Sequence, residues 1–522
     1  MGVLRRGRRA GIAALAATVL VGPLALATPA LADGEERGEQ LSRKLQKAVT
    51  LEGVQRHLEA FADIAAANGG TRVAGAAGYE DSRGYVKRLL ERAGYNVADQ
   101  EFSFPYFQQT GPTEVAQVSP TPTTYVDGTD FVIMTYSGSG DVTGTVQAVD
   151  VVLPPSPTPN TSTSGCEAAD FAGFTPGNIA LLQRGACTFA QKAVNAQNAG
   201  ASAVLIFNEG QPGRTAAFAG TLGGPVVTIP VVGTSFALGS DLADPPGTVA
   251  RVKTQTVSEQ RLTRNLIAES QRGRTDNVVM MGTHLDSVPE GPGINDNGSG
   301  SAALLEVALQ MAKVKPWNKL RFAWWSAEEF GLLGSEAYVA ALTPAQLDDI
   351  AMYLNFDMIG SPNFARFVYD GDDSDRVGAG PGPAGSAAIE RLFVDYFAGR
   401  GLPTEGTDFD GRSDYGPFIA AGVPAGGLFT GAEGIKTPAQ AARYGGTAGQ
   451  AFDPCYHQTC DGVANISGTA LDQNADAMAH AVATYAFDTS SVNGIGPRPP
   501  HGKGKVHGDG HGQQMGRGDE ES

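Results

Sequence analysis

Residues able to hold a metal stand just beyond a series of apolar runs in the second half of the chain. The run Val278 to Met281 reads as a buried strand; His284 and Asp286 follow it at once, then Asp296 in a Gly-rich turn ahead of the helical pattern SAALLEVALQMA. LRFAWW is a second run, followed by Glu328 and Glu329, and a third, YLNF, ends at Asp357. In an open parallel sheet, chemistry gathers beyond the carboxyl ends of the strands, so these three runs describe one site. His284, Asp296, Glu328, Glu329 and Asp357 bring four carboxylates together, which cannot all stay ionised in a desolvated cleft without a cation. Imidazole and carboxylate without Cys suit a divalent metal such as zinc, cobalt or manganese, and two ions fit the ligand count better than one.

The rest of the chain must position those groups. At 522 residues, with 42% hydrophobic residues and 69 Gly, it is long enough for two or three globular, loop-rich domains. A formal net charge of -17 argues against nucleic acid and anionic membranes as partners. Arg5, Arg6, Arg8 and Arg9, the apolar run 10–27 and Ala30-Leu31-Ala32 have the layout of a secretory signal over 1–32. Pro23 interrupts a run already short of the ~20 residues of a membrane span, so a secreted, extracellular protein is expected. In that compartment the four Cys read as disulfides. The sequence-local pairing is favoured, Cys166 with Cys187 and Cys455 with Cys460, and the second, small ring encloses Tyr456 and His457 and would fix their backbone.

Residues 33–47 are charged and weakly patterned, a candidate pro-segment. Leu51 to Asn68 and Tyr79 to Ala93 are helical in period, with His57 read as a surface residue of the first, and YNVADQEFSF reads as a strand. From residue 108 to 255 Pro, Thr, Gly and Ser are dense between short alternating stretches, the texture of an inserted domain. Within it Asn178 to Asn208 reads strand, loop, helix, strand. The catalytic part is then 48–107 with 256–488, and 489–522 is a disordered tail of Pro, Gly, His and charge. No G-x-S-x-G elbow occurs, which argues against a serine hydrolase of the α/β type.

Two resemblances sharpen this reading. The insert, with Arg184-Gly185-x-Cys187-x-Phe189, resembles the protease-associated domain of secreted peptidases, a β-rich α+β unit. The stretches HLDSVPEGPGINDNGSGSAALLE, FAWWSAEEFGLLGS, YLNFDMIGSPN, GRSDYGPF, GLFTGAE and GGTAGQAFDPCYHQTCD resemble the secreted leucine-type di-zinc aminopeptidases of Streptomyces. That resemblance implies an α/β zinc-exopeptidase fold with a mixed, mostly parallel sheet flanked by helices, and a monomer acting on peptides and proteins with a free N-terminus. It implies His284 and Asp357 on one zinc, Glu329 and His457 on the other, Asp296 on both, and a cis peptide at Asp296-Asn297. It further implies Glu328 as general base, Tyr456 as donor to the oxyanion, Arg412 on the substrate backbone and Phe429 in an apolar wall. Asp286 is placed to orient the His284 imidazole. Asp414 and Tyr415 occupy a stretch where the family has Asp-His-Ala. A calcium site in the family would use Asp472 and Asp476, but Ala48 stands where its N-terminal Asp should be, so weak or absent calcium binding is expected. A di-zinc carboxypeptidase or dipeptidase, a single-zinc glutaminyl cyclase and a silent receptor-like protein are the alternatives; the complete ligand set disfavours the last two.

Overall fold

The structure, a computed structural model, describes residues 29–378 and 380–499. Arg274–His284 runs parallel to both of its neighbours, Asn318–Trp325 and Ile350–Phe356, and the latter is parallel in turn to Ala425–Phe429. Phe367–Tyr369 and Glu405–Thr407 complete that edge. Every residue of Ile350–Phe356 is buried, because helices cover both faces, and this is why the strands read as continuous apolar runs rather than alternating ones. Register makes the functional edge level: Trp325 pairs with His284, and Asn355 with Gly282.

The Gly300–Met311 helix is apolar on nearly all sides because it lies within the core, with Ala302, Ala303, Leu304 and Leu305 fully buried. A π-type turn, Ile294–Ser299, leads into it and contains the cis peptide between Asp296 and Asn297. Only glycine fits at position 300, where a Cβ would lie 2.3 Å from the Phe356 carbonyl oxygen. The helix thereby starts directly against the end of the strand that delivers Asp357.

Asn96–Ser119 and Val249–Glu269 form one long antiparallel ribbon, paired from Asn96 with Glu269 to Ser119 with Val249. At one end Val249–Glu269 also pairs with Asn318–Trp325; at the other it pairs with Gly140–Ala148, the first strand of a second group. The borders expected at 107/108 and 255/256 fall inside these strands, Phe107 facing Ser258 and Gln109 facing Thr256. A continuous ladder of hydrogen bonds thus joins the two parts. The expected strand, loop, helix, strand is present as Ile179–Gln183, Phe189–Asn198 capped by Thr188, and Ala203–Phe207. Both local disulfides are formed, with Cα atoms 5.8 Å apart for Cys166–Cys187 and 5.3 Å for Cys455–Cys460.

Three features differ from the sequence reading. The weakly patterned stretch 33–47 is part of a helix, Pro29–Ala48, that lies along the last long helix, Gly468–Tyr485. Its inward stripe is Gly34, Gly38, Ser42 and Leu45, and a Cβ on Gly38 would be 3.2 Å from the Thr484 Cα, so the helices meet through small residues that hydrophobic periodicity does not register. His57 is buried rather than on the surface, between the Tyr85 hydroxyl at 2.7 Å and Glu306 at 3.2 Å. Beyond residue 488 the chain still packs: Thr489 is buried and takes a hydrogen bond from Asn277, and Ser490–Asn493 is a short helix. Residues 1–28 of the expected signal 1–32 and residues 500–522 of the expected tail 489–522 lie outside the described residues, while residues 29–32 belong to the Pro29–Ala48 helix; among those described no helix is long and apolar enough to cross a membrane.

His480, on the Gly468–Tyr485 helix, reports on the docking of the N-terminal helix. Its Nδ1 lies 2.9 Å from the Ser42 hydroxyl, and the Tyr396 ring stacks on it at 4.9 Å. Burial first, then the Arg400 guanidinium, push its pKa down to about 4, with Glu39 opposing. The unfolded imidazole titrates near ~6.5, so the folded state is favoured fully above that pH and loses stability as pH falls toward about 4. Melting temperature should therefore drop across this interval, and His480→Gln, which does not titrate, should flatten the drop in thermal melts.

Candidate functional site

The strand ends bring the predicted residues together at one edge. His284 Nε2 lies 3.2 Å from Asp296 Oδ1, 3.3 Å from Asp357 Oδ1 and 3.9 Å from Glu328 Oε2. On the other side His457 Nε2 lies 3.2 Å from Asp296 Oδ2 and 3.0 Å from Glu329 Oε2. Asp296 therefore turns one oxygen to each imidazole. His284 is 1% exposed at its side chain and Glu329 4%, whereas His457 is 40% exposed, so the group is buried on the sheet side and open on the other.

Glu329 Oε1 and Asp357 Oδ1 are buried without a hydrogen-bond partner. Such acceptors are costly in a core and fit a bound cation. The charges give the same indication. Burial first, then neighbouring carboxylates, push Glu328 well above the usual carboxylate range, and burial with Asp296 moves Glu329 up to about 8. Burial alone would depress His284 and His457, but the surrounding carboxylates outweigh it and raise both. The donor set of imidazole and carboxylate oxygen suits zinc, and its ligand atoms form two overlapping groups, His284 with Asp296 and Glu329, and His284 with Glu328 and Asp357.

Residues around these groups hold them in place. The Asp286 carboxylate lies 3.8 Å from His284 Nδ1, and its backbone carbonyl is nearer, at 3.2 Å. Its carboxylate instead accepts the backbone N–H groups of Glu328 and Glu329 at 3.3 and 3.4 Å, because the turn after Trp325 folds over it. Ser413, unremarked in the sequence, donates to Asp357 Oδ2 at 2.6 Å and accepts from Asn355 at 2.9 Å. Asp461, next to the disulfide ring, accepts the N–H groups of Asn295 and Asp296 at 2.8 and 3.0 Å and so fixes the turn that carries Asp296. The ring also carries Tyr456, stacked on His457 with centroids 3.8 Å apart, and His457 itself has a left-handed backbone with φ 56°.

Arg72 is the largest omission from the sequence reading. Its guanidinium is fully buried beneath the site and donates to the carbonyls of Leu285, Pro292 and Gly293, while its backbone pairs with Ser287. A single Arg after a glycine pair carries no periodic signal. Arg72→Met keeps the bulk but strands three buried carbonyls, so it should destabilise the fold by about 3–5 kcal/mol in urea unfolding.

The group opens on a cavity of about 330 Å³ lined by the site carboxylates, Tyr456 and His457, and walled by Met358, Tyr369 and Phe429. Arg412 is at its rim, its guanidinium 2.9 Å from Glu433, with both side chains more than half exposed. Asp472 and Asp476 lie away from it on the Gly468–Tyr485 helix; burial first, and then Asp472, move Asp476 up to about 6. Among the described residues no third carboxylate or imidazole joins that pair. A further acidic trio, Asp370, Asp372 and Glu390, is engaged with backbone N–H groups of its own loop.

Residues 142–242 match the PA domain, and residues 265–482 match peptidase family M28. An aminopeptidase of Pseudomonas aeruginosa is 49% identical over 451 residues, covering 86% of this chain and 83% of that protein. Leucine aminopeptidase 2 of Trichophyton rubrum is 47% identical over 348 residues, covering 66% of this chain and 68% of that protein. Among solved structures, the aminopeptidase from Aneurinibacillus sp. strain AM-1 superposes with a TM-score of 0.58 at 26% identity, over 84% of this chain and 95% of that one. On this similarity, carried through nearly the whole folded chain, the protein belongs to peptidase family M28.

Proposed function

We propose that the protein is an exported di-zinc aminopeptidase that removes N-terminal residues from peptides and proteins, with a preference for large apolar residues such as Leu. The observation that carries this is Asp296, whose two oxygens face two separate imidazole-carboxylate groups at the mouth of a partly apolar cavity. His284 and Asp357 would hold one ion, Glu329 and His457 the other, and Asp296 both. When bound, the ions supply Lewis-acid activation of water and of the scissile carbonyl. Glu328, beside the ligands yet outside this set, takes the proton from the attacking water and returns it to the leaving amine. The α-ammonium of the substrate is attracted by the surplus of carboxylates, Glu328 and Asp357 foremost, and Phe429 with Tyr369 receives the side chain. Arg412 meets the substrate backbone at the rim. Names of relatives that include leucine aminopeptidase support the apolar preference, and two disulfides support an extracellular setting.

Tyr456 is assigned to the oxyanion. Burial first, then Asp296 and Glu329, raise its pKa beyond the ordinary phenol range, so it remains a donor throughout neutral pH. Tyr456→Phe should lower kcat by ~10²-fold with little change in KM, the scale of one lost oxyanion donor. Steady-state kinetics decide this, and an unchanged kcat would return Tyr456 to packing against His457.

The reading as a whole is tested with Leu-p-nitroanilide beside its N-acetylated form, with and without chelator. Only the free amine should be cleaved, and chelation should abolish it. Hydrolysis of the blocked compound would remove the aminopeptidase assignment, and a carboxypeptidase would show itself on substrates blocked at the amine but free at the carboxyl end.

A further inference from the structure

The cavity carries a feature that an apolar side chain does not need. Beyond Met358, Tyr369 and Phe429, its lining includes Asp408 and Asp410. The nearby cation at the rim, Arg412, has its guanidinium on Glu433.

Asp410 is held in a definite pose. Its Oδ1 accepts the Arg412 backbone N–H at 2.9 Å and the Tyr415 hydroxyl at 2.6 Å, and that hydroxyl accepts the Gly411 N–H at 3.0 Å. Tyr415 is itself buried, packed on Tyr369 at 4.6 Å and on Phe409 at 5.4 Å. With Oδ1 engaged twice, Oδ2 accepts no hydrogen bond among the described residues, and the Arg412 guanidinium, held on Glu433, lies within its electrostatic reach.

From this we infer that Asp410 is a specificity-determining residue that admits a second class of substrate, peptides whose N-terminal residue is Lys or Arg, alongside those with apolar residues. The inference rests on the aminopeptidase reading above. A long aliphatic stem covers Tyr369 and Phe429 as a Leu side chain does, while its terminal ammonium or guanidinium reaches Asp410 Oδ2 and stays partly in water. An exposed carboxylate costs little when a Leu side chain occupies the wall, so both classes are accommodated. A side chain ending in a carboxylate would meet Asp408 and Asp410 and be rejected by like charge.

The test compares kcat/KM for Leu-, Lys- and Asp-p-nitroanilide in the zinc-loaded protein and in Asp410→Asn. Asparagine preserves the Oδ1 acceptor for Arg412 and Tyr415, and an unchanged melting temperature verifies that the turn is intact. The wild type should cleave the Lys compound at a rate comparable with Leu and should leave the Asp compound essentially untouched. Asp410→Asn should lower the Lys/Leu ratio about tenfold, chiefly through KM, equivalent to about 1.4 kcal/mol. In the wild type, raising salt should lower the same ratio, because an exposed ion pair is screened. A Lys/Leu ratio that is negligible in the wild type, or unaltered by Asp410→Asn, overturns the inference; so does a ratio that responds to Asp408→Asn alone. Failure to cleave Leu-p-nitroanilide at all would be a different result, since it would remove the aminopeptidase reading itself.

Discussion

Asp296→Ala should empty the site. Zinc per chain should fall from about two to well below one, and activity on Leu-p-nitroanilide should fall by ~10³-fold or more, because the reaction depends on bound metal. The physical reason is the position of this carboxylate, with Oδ1 3.2 Å from His284 and Oδ2 3.2 Å from His457, so that on the proposed di-zinc reading its removal would take a ligand from both ions at once. The fold should tolerate the change. The turn that carries residue 296 is held by its backbone, through Asp461, rather than by the side chain. Elemental analysis beside kcat tests this, and retention of two zincs with an intact fold would show that Asp296 is not shared.

Glu328→Gln should give the opposite pairing of results. The amide occupies the volume of the carboxyl and leaves His284, Asp296, Glu329, Asp357 and His457 in place, so the metal content should stay near normal. kcat should fall by ~10²–10⁴-fold, because the group proposed to carry the proton is lost, with a smaller rise in KM from the loss of one of the carboxylates proposed to face the substrate ammonium. A Glu328→Gln protein with near-normal kcat would assign the proton transfer to another residue. The contrast between the two variants separates holding the ions from using them.

The functional edge was legible in the sequence. Apolar runs of strand length end abruptly in His284, Glu328 with Glu329, and Asp357, and the structure levels those ends by parallel register. His457 and Tyr456 carry no such signal, since they sit in a disulfide ring after a long loop, and resemblance alone pointed to them. The supports were invisible for a related reason. Arg72 and Asp461 act through hydrogen bonds to backbone and Ser413 through one to a carboxylate, and neither composition nor periodicity marks residues of that kind. A spacing of two residues places Asp286 near the imidazole but does not tell that its carbonyl, at 3.2 Å, lies closer to Nδ1 than its carboxylate at 3.8 Å. The N-terminal helix gives little periodic signal because three of the four positions of its contact stripe are Gly34, Gly38 and Ser42, with Leu45 the one large apolar residue. The ribbon between the two parts shows a limit of texture: composition changes near residue 107, while the strand continues to Ser119.

On the proposed di-zinc reading, Asp296 would be shared by two ions. Anomalous X-ray diffraction from crystals of the zinc-loaded protein, recorded on both sides of the zinc absorption edge, tests it most directly. Two peaks of similar height are expected, one bounded by His284 and Asp357 and the other by Glu329 and His457, with the Asp296 carboxylate between them. A single peak, or a second one remote from Asp296, would contradict it.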